Sequence, residues 1–468
     1  MSDTPLLQQK SETRTEKGAE DQTGSKEAGF VWGLASAAQQ TESRWGRGRS
    51  NWDEFSDTPG KITDGSTTER LTEFDTRYTE DLDIMAAAGI PTFRLSIAWP
   101  RIQPDGPGKP SESGLDHYAR LFDAMQERGI EPWVTLFHWD TPVWAGDFLD
   151  RDMARRLVDY AEIVVERFAD RIKRWMVVNE PNTVAVRGYG AGIDAPGYAS
   201  TPKMLKAIHH LNLSIGLMTR ATRLHMSAGS IVGTVHNCAP VRPANNNIVN
   251  RAAAAFMDNV WNWNFLDPLF GRGYPTWFRP LMAPFVKDGD MDIIATELDF
   301  LGVNYYSSLY FKMTLKPPFV ELGGWPEEME KSGYFPVDPQ GFEEILLNLK
   351  ERYSVPIYIT ETGFSLEGEA DWDWTSRISD AKRTENLDKY MAAISRARSQ
   401  GADVRGLFYW GATDNWEWAD GFTIKLGMIA VDMQTQKRQA KNSLFKFGDQ
   451  IAKYYPDKSR GVFRGYGA

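Results

Sequence analysis

The sequence is poor in cysteine and has no long apolar run. These absences argue against a disulfide-stabilised protein and against a membrane-spanning one. A single cysteine, Cys238, excludes a disulfide within the chain, so a hydrophobic core must hold the fold together. We expect Cys238 to be a small buried core residue. No stretch reaches about 18 consecutive apolar residues, and no basic and then apolar signal segment opens the sequence. These absences predict a cytoplasmic protein without a membrane partner.

The sequence also lacks a net positive charge and the residue spacings that are typical of metal sites. The chain has 53 basic against 63 acidic residues, a formal charge of -10, which disfavours binding to nucleic acid or to anionic membranes. It has no paired Cys/His spacing, no HExxH-type helix and no serine nucleophile elbow. We therefore expect a small neutral partner, no metal and no cofactor, and the sequence leaves the oligomeric state open.

Residues 1–28 contain no aromatic residue and are rich in Ser, Thr, Glu, Gln and Lys. Such a segment cannot bury enough apolar surface to offset its ordering entropy, so we predict a disordered tail. From residue 29 onward, aromatic residues become frequent, and no low-complexity linker divides the chain. Residues 29–468 are therefore predicted to form one domain.

Eight strand-like segments alternate with amphipathic helical patterns in this domain. The predicted strands are 30–36, 92–97, 133–137, 175–179, 231–237, 300–305, 356–360 and 406–409. Gly89 and Gly129 stand where two helices would need a left-handed cap before the next strand. This order predicts an α/β fold of the single-domain (β/α)8 TIM barrel type. An open doubly wound sheet is the alternative, disfavoured because no glycine-rich nucleotide fingerprint follows the first strand.

The longest irregular segment spans residues 312–341 and is rich in proline and glycine. Segments of this length in compact domains are often lids or site walls. Its aromatic residues, Trp325, Tyr334 and Phe335, either line an entrance or simply anchor the loop.

Glu361 follows a short strand and precedes Gly363, which suits a helix cap and a catalytic carboxylate equally well. The other strand ends are more informative than Glu361 alone, because polar and aromatic residues lie in or just after seven of the eight predicted strands. They are Gln40, Glu42, Arg94, His138, Trp139, Asp140, Asn179, Glu180, Asn304, Tyr306, Glu361, Trp410, Asp414, Glu417 and Trp418. In a barrel these residues would meet at one mouth. Two glutamates among hydrogen-bonding groups and indoles are typical of a sugar site.

Several motifs resemble the β-glucosidase family, glycoside hydrolase family 1, and they occur in the family's order between Phe30 and about Ser443. They are Phe30-Val31-Trp32-Gly33 with Gln40 and Glu42, Thr135-Leu136-Phe137-His138-Trp139-Asp140, Asn179-Glu180-Pro181, Thr360-Glu361-Thr362-Gly363 and Asp414-Asn415-Trp416-Glu417-Trp418. The resemblance implies a retaining exo-β-glycosidase that hydrolyses terminal β-D-glucosides, and possible second substrates are β-galactosides or β-fucosides.

The resemblance also implies a role for each matched residue. Glu361 would be the nucleophile and Glu180 the acid/base, with Arg94 and Tyr306 keeping Glu361 ionised and Asn179 bound to the sugar's 2-hydroxyl. The remaining sugar contacts are expected from Gln40, His138, Trp139, Asn304, Glu417 and Trp418, with Trp410 as the stacking floor and Phe335 bordering the leaving-group site.

One substrate choice within the family can be predicted. Members that act on 6-phosphorylated sugars replace the acidic residue at the Glu417 position and carry a lysine and a tyrosine where this chain has Ile424 and Leu426. Because a carboxylate would repel a phosphate, we expect an unphosphorylated substrate.

The sequence departs from the family pattern at two positions close to the expected sugar. Thr362 replaces an asparagine beside the nucleophile, and Leu426 replaces an aromatic residue near the primary hydroxyl.

Two other functions fit the same residues. A transglycosylase would pass the same covalent intermediate to a sugar acceptor, and a catalytically silent sugar-binding barrel would usually have lost one glutamate. This chain keeps both glutamates.

Overall fold

The computed structural model describes residues 29–315, 320–369, 372, 374 and 379–454, and the predicted tail (residues 1–28) lies outside them. Eight parallel strands form a closed barrel. They are β1 (Val31–Ala35), β2 (Thr92–Ser96), β3 (Glu131–Phe137), β4 (Arg174–Asn179), β5 (Ile231–Asn237), β6 (Phe300–Asn304), β7 (Ile357–Glu361) and β8 (Val404–Trp410).

The barrel closes because β1 pairs with both β2 and β8. Every predicted barrel strand is confirmed, with bounds that differ by two residues at most. Closure also excludes the open doubly wound sheet. The chain therefore folds as a (β/α)8 TIM barrel, in which side chains at the carboxyl ends of the strands share one mouth.

One long helix follows each barrel strand. They are α1 (Phe74–Ala87), α2 (Glu112–Glu127), α3 (Met153–Phe168), α4 (Thr201–His225), α5 (Ile248–Asp258), α6 (Pro339–Arg352), α7 (Ala381–Ser399) and α8 (Asn442–Tyr454). Gly89 and Gly129 follow α1 and α2 with φ angles of 74° and 67°. These are the left-handed caps that the sequence predicts.

Shorter helical segments decorate the connections. The α-helical segments are Ala38–Thr41, Asn51–Asp57, Trp99–Ile102, Pro181–Thr183, Asn264–Leu269, Arg279–Met282 and Asp290–Ile294. Val184–Ala191 and Asn259–Trp263 are π-helical, and Val143–Ala145 and Trp418–Asp420 are 3₁₀-helical.

Two small sheets lie outside the barrel. Val241–Pro243, Leu309–Met313 and Val320–Leu322 form one, and Ile429–Val431 pairs with Arg438–Ala440 in the other. The segment that the sequence predicts as irregular therefore contains strand structure at its beginning. Among its described residues, the later part has one bridge, between Glu330 and Val337, and its last residues begin α6.

Aromatic side chains fill the barrel interior beneath the mouth. Trp133 contacts Phe300, Tyr358 and Phe408 with ring centroids 4.8 to 5.9 Å apart. Cys238 is fully buried, as predicted. Among the described residues, no helix is long and apolar enough to cross a membrane.

Candidate active site

A cavity of about 430 Å³ opens at the carboxyl ends of the barrel strands. Most of the predicted site residues line it: Gln40, His138, Trp139, Asn179, Glu180, Tyr306, Phe335, Glu361, Trp410, Glu417 and Trp418. A volume in the range of small-molecule sites, together with the three buried carboxyl groups of Glu180, Glu361 and Glu417, makes this cavity the candidate active site. Arg94 and Asn304 lie just beneath it, where they hold its carboxylates.

Glu361 is the last residue of β7, and both of its carboxylate oxygens are bonded. Arg94 Nη1 donates to Oε1 at 2.5 Å, and the hydroxyl of Tyr306 donates to Oε2 at 2.8 Å. A Cβ at Gly363 would lie 1.9 Å from the carbonyl oxygen of Trp410. Only glycine therefore lets the chain after Glu361 pass this close to the end of β8.

Glu180 follows β4 and adopts a left-handed backbone, with φ at 43°. Its Oε1 accepts a 2.6 Å hydrogen bond from Asn304 Nδ2. Its Oε2 accepts bonds from the Thr183 hydroxyl at 2.7 Å and from Asn237 Nδ2 at 3.3 Å. Backbone strain at a chemically important side chain is a recurring feature of active sites.

A chain of hydrogen bonds links the two glutamates. Arg94 binds Glu361 through Nη1 and donates through Nη2 to Asn179 Oδ1 at 2.6 Å. Asn304 Nδ2 is 3.3 Å from the same Asn179 oxygen and also donates to Glu180. The Asn304 Oδ1 accepts the Thr360 hydroxyl at 2.6 Å, one residue before Glu361. The carboxylates are therefore held in a fixed relation by shared partners.

Burial dominates the ionisation of this site. It raises the pKa of Glu361 to about 7, against the opposing effects of Arg94 and Tyr306, and the negative charge of Glu180 adds to the rise. Burial also raises the pKa of Glu180, opposed by the donors Asn304, Thr183 and Asn237. The expectation that Arg94 and Tyr306 favour ionised Glu361 has the right direction, but burial outweighs both. Because the charge of Glu180 acts on Glu361, the two carboxyl groups titrate as a coupled pair.

Gln40 and Glu417 form a polar wall on the β1 and β8 side. Gln40 Nε2 donates to Asn415 Oδ1, to the Trp416 carbonyl and to Glu417 Oε2 at 2.9 to 3.1 Å. Its Oε1 is buried without a hydrogen-bond partner among the described residues. Burial, with the charge of Glu361, raises the pKa of Glu417 to about 8. This wall offers a free amide oxygen and a carboxyl group to a polar ligand.

His138 adds a donor beside that wall. Burial and the Arg94 charge lower the pKa of His138 well below its usual value, so the ring is neutral. Asn179 Oδ1 accepts from Arg94, which leaves Asn179 Nδ2 to donate to His138 Nε2 at 3.0 Å. The ring proton of His138 must then sit on Nδ1, which has no partner among the residues described.

The indoles are arranged differently from the prediction in one respect. The Trp139 ring lies 4.3 Å from that of Trp418, but its Nε1 donates to the Asn179 carbonyl at 2.8 Å. Its N–H is therefore not free for a sugar hydroxyl, and the ring contributes an apolar surface. Trp410 stacks on His138 with centroids 5.9 Å apart.

Some predicted strand-end residues serve the scaffold instead. Glu42 is buried in an ion pair with Arg101 and accepts the Tyr118 hydroxyl. Asp140 accepts the Trp99 amide, and Asp414 pairs with the buried Lys441. None of these carboxylates lines the cavity.

The two sequence departures are accommodated without distortion. Thr362 is fully buried and its φ is not positive, so the left-handed backbone that a β-branched residue resists is not required. Leu426 is buried in a cluster with Trp410 and does not line the cavity.

The sequence interpretation missed two partners of Glu180, Thr183 and Asn237, and the apolar side of the cavity. Asn237 carried a detectable signal, because it ends β5, whose carboxyl end was the one left unconsidered. The apolar lining gave no signal distinct from ordinary core residues.

Comparisons with known proteins identify relatives of this chain. The family model described as Glycosyl hydrolase family 1 matches residues 23–455. The chain is 33% identical over 440 residues to beta-glucosidase A of Thermotoga maritima, covering 90% of this chain and 97% of the relative. It is 34% identical over 452 residues to a bifunctional beta-D-glucosidase/beta-D-fucosidase of Bifidobacterium breve, covering 89% and 95%.

Solved structures give the same result. The beta-glucosidase from Thermotoga maritima in complex with glucoimidazole superposes with a TM-score of 0.84 at 32% identity, covering 91% of this chain and 98% of that one. A psychrophilic beta-glucosidase from Micrococcus antarcticus also has a TM-score of 0.84, at 33% identity over 91% and 97% of the two chains.

Proposed function

Because the chain belongs to glycosyl hydrolase family 1 and is a glycoside hydrolase, we propose that it hydrolyses terminal, unphosphorylated β-D-glucosides with retention of configuration. The observation that carries the proposal is the hydrogen-bonded chain from Glu361 through Arg94, Asn179 and Asn304 to Glu180. It holds two carboxylates in one cavity in different environments, as a double displacement requires.

In the first step, Glu361 attacks the anomeric carbon and forms a covalent glycosyl-enzyme. Arg94 ion-pairs with Glu361, and among the described residues it makes no ion pair with Glu180. We assign the proton needed in this step to Glu180, because the Arg94 guanidinium favours the ionised form of Glu361. Glu180 donates it to the glycosidic oxygen as the bond to the leaving group breaks.

In the second step, Glu180 acts as a base toward water. Formation of the ester removes the negative charge of Glu361, and a like charge in the same cavity disfavours the ionised form of Glu180. The pKa of Glu180 should then fall, which suits the removal of a proton from the incoming water. Hydrolysis of the ester returns Glu361 to its carboxylate and Glu180 to its protonated form.

The sugar ring is held by the polar side of the cavity. Gln40 Oε1 accepts from a sugar hydroxyl, and His138 Nδ1–H donates to one, since both are unpaired among the described residues. Asn179 lies between Arg94 and His138, where its amide can reach the 2-hydroxyl. Trp410 and Trp418 provide ring faces for the sugar's C–H groups, with Phe335 at the side of Tyr306.

The position of Glu417 supports the proposal that the substrate is unphosphorylated. Its carboxyl lines the cavity beside Gln40, where a phosphate would meet a negative charge once Glu417 is ionised. We include β-fucosides as a second substrate class because a relative carries that activity in its name. β-Galactosides differ only in the orientation of one hydroxyl and belong in the same test.

The experiment is a proton NMR time course with an aryl β-glucoside. Retention predicts that β-glucose appears first and then mutarotates, whereas α-glucose as the first product would overturn the proposal. A panel with β-galactoside, β-fucoside and 6-phospho-β-glucoside tests the sugar, and fast turnover of the phosphorylated substrate alone would contradict the role of Glu417. Products longer than the substrate from cellobiose would reveal transglycosylation, and no turnover of any substrate would leave only a sugar-binding barrel.

A further inference from the structure

The Tyr306 side chain belongs to the candidate active site, but its backbone lies beyond the end of the barrel sheet. β6 ends at Asn304, and the Tyr305 N–H makes one further backbone hydrogen bond, to the Glu361 carbonyl at 3.0 Å. Tyr306 comes next, and its hydroxyl donates to Oε2 of the Glu361 carboxylate. The sheet therefore does not itself fix the residue that carries this donor.

A tyrosine of α7 holds the Tyr306 backbone instead. The Tyr390 hydroxyl donates to the Tyr306 carbonyl at 2.6 Å, and it is the one hydrogen-bond partner of the Tyr306 backbone among the described residues. Tyr390 is fully buried and does not line the cavity, so it cannot touch a substrate. Any influence of Tyr390 on the reaction must pass through its neighbours.

The same hydroxyl also binds the chain where it returns to the barrel. The Asp338 N–H donates to the Tyr390 oxygen at 3.1 Å, and Asp338 caps the start of α6. An N–H can only donate and a carbonyl can only accept, so the Tyr390 proton is directed at Tyr306. One phenol thus joins the two ends of the excursion formed by residues 307–337.

Packing fixes the position of this phenol. The Tyr390 ring lies against the rings of Phe364, Phe342 and Tyr305, with centroids 4.8, 5.3 and 5.6 Å apart. Phe364 comes three residues after Glu361 in the chain. The hydroxyl is therefore held by the core around α7, and it offers the Tyr306 carbonyl a fixed point of attachment.

We propose that Tyr390 is a positioning residue for the reaction: by holding the Tyr306 carbonyl, it keeps the Tyr306 hydroxyl on the carboxylate of Glu361. This inference rests on the proposed role of Glu361 as the nucleophile. Burial raises the pKa of Glu361, and the hydrogen bond from Tyr306 is one of the contacts that oppose the rise. A displaced Tyr306 would therefore leave less of Glu361 ionised at a given pH.

The main experiment compares Tyr390→Phe with the wild type in the pH dependence of kcat/KM for an alkyl β-glucoside. The variant keeps the ring and removes the hydroxyl. We expect kcat/KM to fall roughly tenfold. The acid limb, which reports ionisation of Glu361, should move to higher pH by roughly 0.5, since a donor to the charged form is weakened. The basic limb reports the proton on Glu180 and should not move. An unchanged acid limb would overturn the inference.

A double-mutant cycle shows whether Tyr390 acts through Tyr306. Tyr306→Phe removes the donor itself, so adding Tyr390→Phe to it should move neither limb and should lower kcat/KM by less than about twofold. A second loss as large as in the wild type would show that Tyr390 acts by another route, and would also overturn the inference.

Tyr353→Phe is the matched control. Tyr353 is also a buried tyrosine outside the cavity, and its hydroxyl donates to Asp267 at 2.7 Å. Both variants should be less stable in urea unfolding, because each loses a buried hydrogen bond. Only Tyr390→Phe should change the pH profile. A shift of the acid limb in Tyr353→Phe as well would mean that general destabilisation explains it.

A titration that needs no turnover separates this inference from the proposed function. Carbon-13 NMR of glutamate labelled at the carboxyl carbon follows Glu361 directly, with Glu361→Gln to assign its signal. If the pKa of Glu361 is higher in Tyr390→Phe but the wild type hydrolyses no glycoside, the positioning role stands and the proposed catalysis fails. If the wild type hydrolyses glucosides with retention but both proteins give the same pKa, only the positioning role is wrong.

Discussion

The two halves of the cavity are built on different principles. On the sugar side, side chains at the barrel strand ends are fixed by hydrogen bonds to one another, as Gln40 is by three acceptors. On the other side, apolar residues such as Phe256 of α5 come from helices and loops around the strands and only pack. The hydrogen-bonded side therefore depends on the strand ends that define the fold, whereas the apolar side depends on segments that can change without disturbing those strand ends.

The largest effect should come from Glu361→Ala, and it should not depend on the apolar side of the cavity. Loss of the nucleophile is expected to lower kcat/KM by at least about 10⁴-fold for methyl and octyl β-glucosides alike. Steady-state kinetics with both substrates measure it. Glu297→Gln, at an exposed glutamate, is the control and should retain full activity. An octyl glucoside that still turned over well would contradict the separation of the halves.

Glu180→Ala should have an effect that depends on the leaving group. For alkyl glucosides, which need a proton on the leaving oxygen, kcat/KM should fall about 10² to 10⁴-fold. For an activated aryl glucoside, which leaves without a proton, glycosyl-enzyme formation should be spared and should appear as a burst. Rapid-quench measurement of the burst checks this. Equal losses for both substrate types would mean that Glu180 is not the acid.

Gly363→Ala tests how firmly the sugar side is tied to the barrel. The new methyl group would overlap the Trp410 carbonyl, so β7 and β8 must separate at their ends. We expect a loss of about 1–3 kcal/mol in the free energy of unfolding and about 100-fold in kcat. Gly29→Ala is the matched control, since its Cβ would meet nothing within 4 Å. Near-normal activity of Gly363→Ala would show that Glu361 tolerates displacement.

The smallest effect concerns stability and pH at Glu417. Its folded pKa of about 8 exceeds the ordinary 4.5, so the unfolded chain loses this proton first and stability falls as pH rises between these values. Glu417→Gln should match the wild type at pH 5 and exceed it by about 1–3 kcal/mol at pH 8.5. Urea unfolding at both pH values measures the difference. A gain that is equal at both pH values would exclude ionisation of Glu417 as its cause.

The two sides of the cavity also differ in how well the sequence predicts them. The eight strands were predictable because buried parallel strands are β-rich runs between caps such as Gly89 and Gly129, and strand ends in a barrel converge. The carboxylates were predictable for that reason. The raised pKa of Glu361 was not predictable, because it depends on how deeply the folded chain buries the carboxyl group. The apolar side was not predictable either, since Met204 and Trp261 resemble core residues until the connections are placed.

The left-handed backbone at Glu180 affects which residues evolution would favour at this position. Asparagine or glycine adopts this conformation at less cost, whereas glutamate bears about 1–3 kcal/mol of strain there. A descendant released from the need to transfer a proton would gain stability by replacing this one side chain, with the rest of the cavity intact. Glu180 therefore occupies a position where folding alone would favour another residue, and the proposed proton transfer gives a reason for a glutamate there.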